Sequence, residues 1–219
     1  MKQKIKSWED VTVGQFMDLQ TLAKREADPD NQYEKAENAI SIFYGLTPKQ
    51  IDELPTPEFN AMAKHCAELM KMPLDGKPQR IIFANGKRYE IIYDPKQLRH
   101  RQFVEIQHFV SNGMFENIHN ILASIVMPIG RFGRRIKNTA ELHDEISNDM
   151  LDAKITDVYN SCVFFCKLYL NSLLHIRGYL VHKMMQQGAT KEQAMALINS
   201  SISAMAGSIT QKKWQLLKI

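Results

Sequence analysis

Apolar positions along this chain fall mostly at the three- and four-residue spacing of amphipathic helices, and one short stretch reads as strand instead. Phe16, Leu19 and Ala23 lie on one helical face. Thr12 and Gln15 stand where a reciprocal capping box needs them, with Val11 and Phe16 as its hydrophobic staple. The polar stretch 26–31 ends that helix. A second begins near Gln32, with Tyr33, Ala36, Ile40 and Phe43 as its buried stripe and Gly45 at its C-terminus. Thr47, Pro48 and Gln50 repeat the capping pattern with Leu46 and Ile51 as staple, and Thr56-Pro57-Glu58 opens a helix to about Met72. Asp94-Pro95-Lys96-Gln97 uses the same device a third time.

The strand signal lies between these helices. Arg80-Ile81-Ile82-Phe83-Ala84 and Lys87-Arg88-Tyr89-Glu90-Ile91-Ile92-Tyr93 flank Asn85-Gly86, the pair that supplies both positive-φ residues of a type I′ turn. Ile82, Tyr89 and Ile91 fall on one face, and Ile81, Phe83 and Ile92 on the other. A lone hairpin is marginal in water, so this one must pack on helices or pair with a strand of another chain. Helical spacing resumes through Phe103, Ile106 and Val110 and is interrupted at Gly113. A further helix over about 115–126 stops before Pro128, and 128–135 reads as a loop. A long helical region runs from about Asp149 to near Gly188. Thr190 and Gln193 form a last capping box for a helix over about 194–205, and the tail 212–219, with Trp214, is amphipathic. The pattern predicts a mainly α protein: a helical domain with a single β-hairpin (about residues 80–93) inserted between helical halves. Its segments are an N-terminal helical region 1–78, the hairpin segment 79–94 and a C-terminal helical region 95–219.

Composition narrows the class. With 44 % hydrophobic and 24 % charged residues in 219, the chain matches globular proteins and excludes wholesale disorder. Three cysteines cannot make a disulfide framework. Lys2, Lys4 and Lys6 run into Trp8-Glu9-Asp10 with no apolar stretch behind them, which predicts no signal peptide. The most apolar region, 158–185, is broken by Lys167, Asn171, His175, Arg177 and His182, so no membrane span is expected. The net charge of +4 hides alternating blocks: −2 over 1–94, +5 over 95–137, −5 over 138–157 and +6 over 158–219. Blocks of opposite sign suit contacts between copies or with neighbours, because complementary potentials fix register.

Candidate chemistry is sparse. Cys162 and Cys166 are four apart on a helix, but a structural zinc site needs four ligands and nothing nearby completes the set. His65-Cys66 are adjacent and point about 100° apart on a helix, so they read as a surface His beside a core Cys. His108, His119, His143, His175 and His182 show no metalloprotease-like spacing. Glu141, Asp144, Glu145, Asp149 and Asp152 read as a solvated or partner-facing helix side. Arg131, Phe132, Arg134, Arg135 and Lys137 suit phosphate and a stacked base, or an acidic partner protein, and the acidic cluster just behind them favours the protein. No catalytic, metal-binding or cofactor-binding residue is assigned. The residues expected at partner contacts are Phe83, Tyr89 and Ile91 on the hairpin, Arg131, Phe132, Arg134 and Arg135 in the basic loop, and Trp214 in the tail.

Several segments together resemble a family of tailed-bacteriophage proteins encoded among virion structural genes, including in crAss-like phages of gut Bacteroidetes. They are Ser7-Trp8-Glu9-Asp10-Val11-Thr12-Val13-Gly14-Gln15-Phe16, Ile51-Asp52-Glu53-Leu54-Pro55 after Gly45, Asn85-Gly86-Lys87-Arg88-Tyr89, Gln102-Phe103-Val104-Glu105, and Asn117-Ile118-His119-Asn120-Ile121-Leu122-Ala123 before Met127-Pro128. The resemblance covers about residues 7–170 and carries no catalytic residues. It implies a non-enzymatic tail, neck or packaged-cargo protein, found in the virion and in the host cytoplasm during assembly. Its expected partners are other phage structural proteins and copies of itself. Two alternatives are a tail-assembly chaperone absent from the mature particle and a small DNA-binding protein using the 131–137 loop.

Overall fold

Side-chain caps start the helices where the spacing places them. The Thr12 N–H donates to Gln15 Oε1 at 3.0 Å and the Gln15 N–H to Thr12 Oγ1 at 3.3 Å, opening α1 (Val13–Lys24). After α2 (Gln32–Tyr44), Thr47 and Gln50 make the same exchange at 3.0 and 3.3 Å to open α3 (Pro48–Asp52), followed by α4 (Thr56–Lys71). The hairpin strands are β1 (Ile81–Ala84) and β2 (Lys87–Ile91). Then come α5 (His100–Ser111), α6 (Ile118–Ile125), β3 (Val126–Ile129), α7 (Ala140–Leu151), α8 (Ile155–Gln186) and α9 (Lys191–Thr210), the last opened by Thr190 and Gln193. The computed structural model describes residues 7–24, 32–72, 74 and 76–210, and of residues 24, 175, 176, 201 and 204–210 the backbone alone. The polar stretch 26–31 and the tail with Trp214 lie outside the described residues. The architecture is mainly α with one small antiparallel sheet.

Four local expectations are corrected by tertiary contacts. The hairpin is not alone: β3 pairs antiparallel with β2, giving the order β1-β2-β3 and matching Tyr89 with Pro128 and Ile91 with Val126. Pro128 is tolerated because its main chain faces away from β2: its C=O accepts from the Ile136 N–H at 2.8 Å, so no ladder donor is missing. The helical region expected from Asp149 onward is two helices. Ile155 donates its N–H to Val11 and Ala153 accepts from Val13, both at 2.9 Å, and this short pairing with the N-terminal segment turns the chain at Asp152–Lys154. Asp94 caps only a 3-10 turn, Pro95–Gln97, and α5 starts later, with Gln102 reaching back to the Arg99 N–H at 3.0 Å. Tyr33 is 58 % exposed and stacks on Phe59 with ring centroids 4.8 Å apart, whereas Ala36, Ile40 and Phe43 are buried as their spacing requires.

One hydrophobic cluster runs from Trp8 to Leu173 and draws on all three segments of the chain. Phe16 lies fully buried within it, with Trp8, Phe115 and Tyr159 rings edge-on at 6.0–6.4 Å. Val158, Cys162, Phe165, Cys166, Tyr169 and Leu173 on α8 pack into the same cluster. Beyond Leu173, α8 meets α9 through a separate small cluster of Val181, Ala194 and Ile198. Among the described residues no helix is long and apolar enough to cross a membrane.

Candidate interaction surface around the sheet

The hairpin turn is a type I′ turn as its residues demand, with Asn85 at φ 48° and Gly86 at φ 69°. This register places Ile82 opposite Tyr89, and both are buried against the helices together with Ala84 and Ile91. Tyr89 and Ile91, expected at a partner surface, are therefore core residues, at 1 % and 4 % exposure. Alternation leaves Phe83 on the other face, 60 % exposed, with the Arg88 guanidinium 5.8 Å from its ring centroid.

What holds the hairpin down is a partly buried polar network that sequence spacing missed. Asp149 on α7 is buried, although its neighbours Glu141, Asp144, Glu145 and Asp152 are exposed as expected. Its carboxylate accepts from Tyr89 Oη, from Asn85 Nδ2 at 2.7 Å and from Lys87 Nζ at 2.7 Å, and Lys87 also reaches Glu145 at 2.8 Å. Burial pushes the Asp149 pKa up, but the bonds from Lys87, Tyr89 and Asn85 outweigh it and hold the carboxyl below its ordinary range. Burial, and then the bond to the ionised Asp149, push the Tyr89 phenol well above its ordinary value. Three donors, Asn85 Nδ2, Lys87 Nζ and Tyr89 Oη, thus satisfy the Asp149 carboxylate, as a buried charge requires.

On the far edge of the sheet the chain turns back after β3. Gly130 donates its N–H to Arg134 at 2.8 Å and Ile129 bridges Arg135, closing a small loop whose tip, Arg131–Arg134, has positive φ at both central residues, Phe132 and Gly133, as a type I′ turn does. Arg135 is anchored there. It shares Glu90 with Arg80: Arg135 Nη2 lies 2.7 Å and Arg80 Nη2 3.0 Å from Glu90 Oε1. The Arg135 bond leads in drawing the Glu90 pKa below its ordinary value, against burial and with help from Arg80. Arg131, Arg134 and Lys137 are exposed, and among the described residues none of them forms a salt bridge. Phe132 sits between the arginines at φ 60°, its side chain entirely in solvent at 105 % exposure. A left-handed non-glycine residue costs about 1–2 kcal/mol, and here it aims an aromatic ring away from the body.

Beside β1 lies a groove of about 540 Å³, walled by Phe83 and Ala84 on the strand side and by Asp152, Lys154 and Asp157 at the α7–α8 turn. β1 is the other edge of the sheet, and among the described residues no strand pairs with its outer side. Because Arg80 accepts from the Ile91 N–H at 2.9 Å, Ile82 and Ala84 face β2, and Ile81 and Phe83 turn their N–H and C=O groups outward.

The other candidates reduce to packing. Cys162 and Cys166 are fully buried, and contact with Cys166 and burial together raise the Cys162 thiol well above its ordinary pKa. Among the described residues no cluster of His, Cys, Asp and Glu has the makings of a metal site. Burial pushes the Cys66 thiol up to about 12, while His65 hydrogen-bonds the Tyr44 hydroxyl at 2.7 Å. Sequence spacing also missed Ser124, His143 and Glu105, with Ser124 Oγ 3.2 Å from His143 Nε2 and 3.3 Å from Glu105 Oε2. This pairing looks like a nucleophile and base, but Ser124 is 0 % exposed, its hydroxyl also bonds the Asn120 carbonyl at 3.1 Å, and His143 stacks on Phe109. A hydroxyl sealed in the core meets no substrate. It satisfies the polar groups between α5, α6 and α7. No protein-family model, curated protein or solved structure matches the chain.

Proposed function

We propose that this chain is a non-enzymatic virion protein of a tailed bacteriophage, a tail, neck or packaged-cargo component that works through protein–protein contacts. The resemblance in the capping, hairpin and α6 segments supplies the phage context. The observation that carries the contact reading is Phe132, held in left-handed backbone with its ring fully in solvent between Arg131 and Arg134, two arginines with no salt bridge among the described residues. Backbone strain held in place by its surroundings clusters at functional sites such as ligand clamps. Quantitative mass spectrometry of gradient-purified particles of the phage that encodes the chain tests it. A fixed copy number per particle is the expected result. Absence from particles, with the protein present in infected cells, would replace this reading with a transient assembly chaperone.

Arg131 and Arg134 flanking an aromatic ring also suit a nucleic-acid backbone and a stacked base, and a DNA-binding role is the second reading. In that case affinity falls steeply with salt, with a slope of about −2 for two phosphate contacts on a log–log plot. Protein contact is preferred because the strongest acidic block of the chain, 138–157, follows the loop directly and repels a polyanion.

A further inference from the structure

The two edges of the sheet differ in kind, and they complement each other. At the β3 edge the loop offers Arg131, Phe132 and Arg134. At the β1 edge the groove offers the exposed ring of Phe83, outward main-chain groups and three carboxylates, Glu9, Asp152 and Asp157, against the two ammonium groups of Lys77 and Lys154. Among the described residues none of these five charged groups is tied up in a salt bridge. Strand direction is compatible as well. β1, β2 and β3 alternate, and the Ile129–Arg135 bridge is antiparallel, so the chain around Arg135 runs opposite to β1. The Gly130–Arg134 and Ile136–Pro128 hydrogen bonds point residues 134 and 136 inward, which leaves the Arg135 N–H and C=O facing out.

We propose that the 131–135 loop of one copy docks in the β1 groove of the next, so that copies add head to tail along their sheets. This deepens the proposed function by naming a second copy of the chain as the partner, and it rests on reading the loop as a protein contact. Outward groups of Arg135 meet those of Ile81 and Phe83 and continue the antiparallel alternation. Phe132 covers Phe83, and Arg131 and Arg134 face the carboxylates of Glu9, Asp152 and Asp157. Such a contact is heterologous: a joined pair keeps one free loop at one end and one free groove at the other, so the assembly closes into a ring or grows as a filament.

Sedimentation velocity on the purified chain up to about 100 μM, a range that reveals weak association, tests this. The wild type is expected to form species beyond a dimer as concentration rises and to lose them in high salt. A loop variant, Arg131→Ser with Arg134→Ser, and a groove variant, Glu9→Lys with Asp152→Lys, are each expected to be monomeric. Mixed, they restore one intact loop and one intact groove and stop at a 1:1 dimer. Circular dichroism and melting of each variant check that these exposed substitutions leave the fold intact. In a second measurement, Phe83→Cys protein mixed with Phe132→Cys protein is joined by a short bismaleimide into a mixed dimer, the natural Cys66, Cys162 and Cys166 being buried. A monomeric wild type, a mixture that fails to dimerise, or Phe83→Cys protein cross-linking only to itself overturns the proposal. So does a loop variant that loses DNA binding while self-association is unchanged. Particles that contain the protein although the purified chain does not self-associate would leave the virion reading standing and reject only the contact between copies.

Discussion

The hairpin turn and the basic loop leave the same end of the small sheet, the turn between β1 and β2 and the loop after β3, and use similar residues to opposite ends. At the turn, Asn85, Lys87 and Tyr89 converge on Asp149, with the Tyr89 ring buried in the body and half-exposed Lys87 bonded to the same carboxylate. At the loop, only Arg135 turns back, to Glu90, and Phe132 with Arg131 and Arg134 stays outside. The difference comes from what lies across from each. α7 presents a carboxylate to the turn, whereas the loop extends past β3 with no described helix side chain bonded to Arg131 or Arg134. An aromatic residue beside a cation is therefore no sign of a binding surface until the opposing element is known.

Removing Tyr89 has the largest expected effect. Tyr89→Ala empties a fully buried aromatic site and strands Asp149, so a loss of about 3–5 kcal/mol is expected, read as the denaturant midpoint. If Tyr89 were a surface contact, the midpoint would hardly move. Asp149→Ala comes next, with an expected cost of about 1–3 kcal/mol, because Tyr89 Oη and Asn85 lose their acceptor while half-exposed Lys87 rehydrates. Acid titration sharpens the same point. Asp149 and Glu90 both have folded pKa values below their ordinary ones, so the unfolded chain binds more protons in the acid range. The stability they contribute is complete above the ordinary carboxylate pKa and is lost as pH falls through the lowered folded values. Urea midpoints measured from neutral pH to pH 3 should therefore fall less steeply in Asp149→Asn than in the wild type. The loop responds in the other direction. Phe132→Gly relieves the left-handed backbone and is expected to leave stability unchanged or raise it by up to about 1 kcal/mol, while weakening the proposed contact between copies.

Much of the fold was legible because it is written in local chemistry. Thr12 with Gln15, Thr47 with Gln50 and Thr190 with Gln193 each satisfy backbone donors within four residues, so the exchange needs no distant partner. Asn85-Gly86 announces its turn for the same reason. The candidate surface was legible in part: Phe83, Phe132, Arg131 and Arg134 are exposed as expected, whereas Tyr89 and Ile91 are not. An alternating strand has two faces, and its own pattern says which residues go together but not which set meets the core when both sets are apolar. Asp149 was hidden among exposed acids because the groups that make its burial tolerable lie some sixty positions earlier in the chain.

The mainly helical fold, the positions of its helix starts, the hairpin turn and the chemical character of the basic loop all follow from local sequence. Those depend on residues within a turn of one another, where backbone geometry permits few alternatives. Only the tertiary structure decided that β3 completes the sheet, that the chain turns at Asp152–Lys154, and that Tyr89 is core while Phe132 faces outward. Each of those outcomes rests on a pairing between segments far apart in sequence, and its free energy belongs to both partners together.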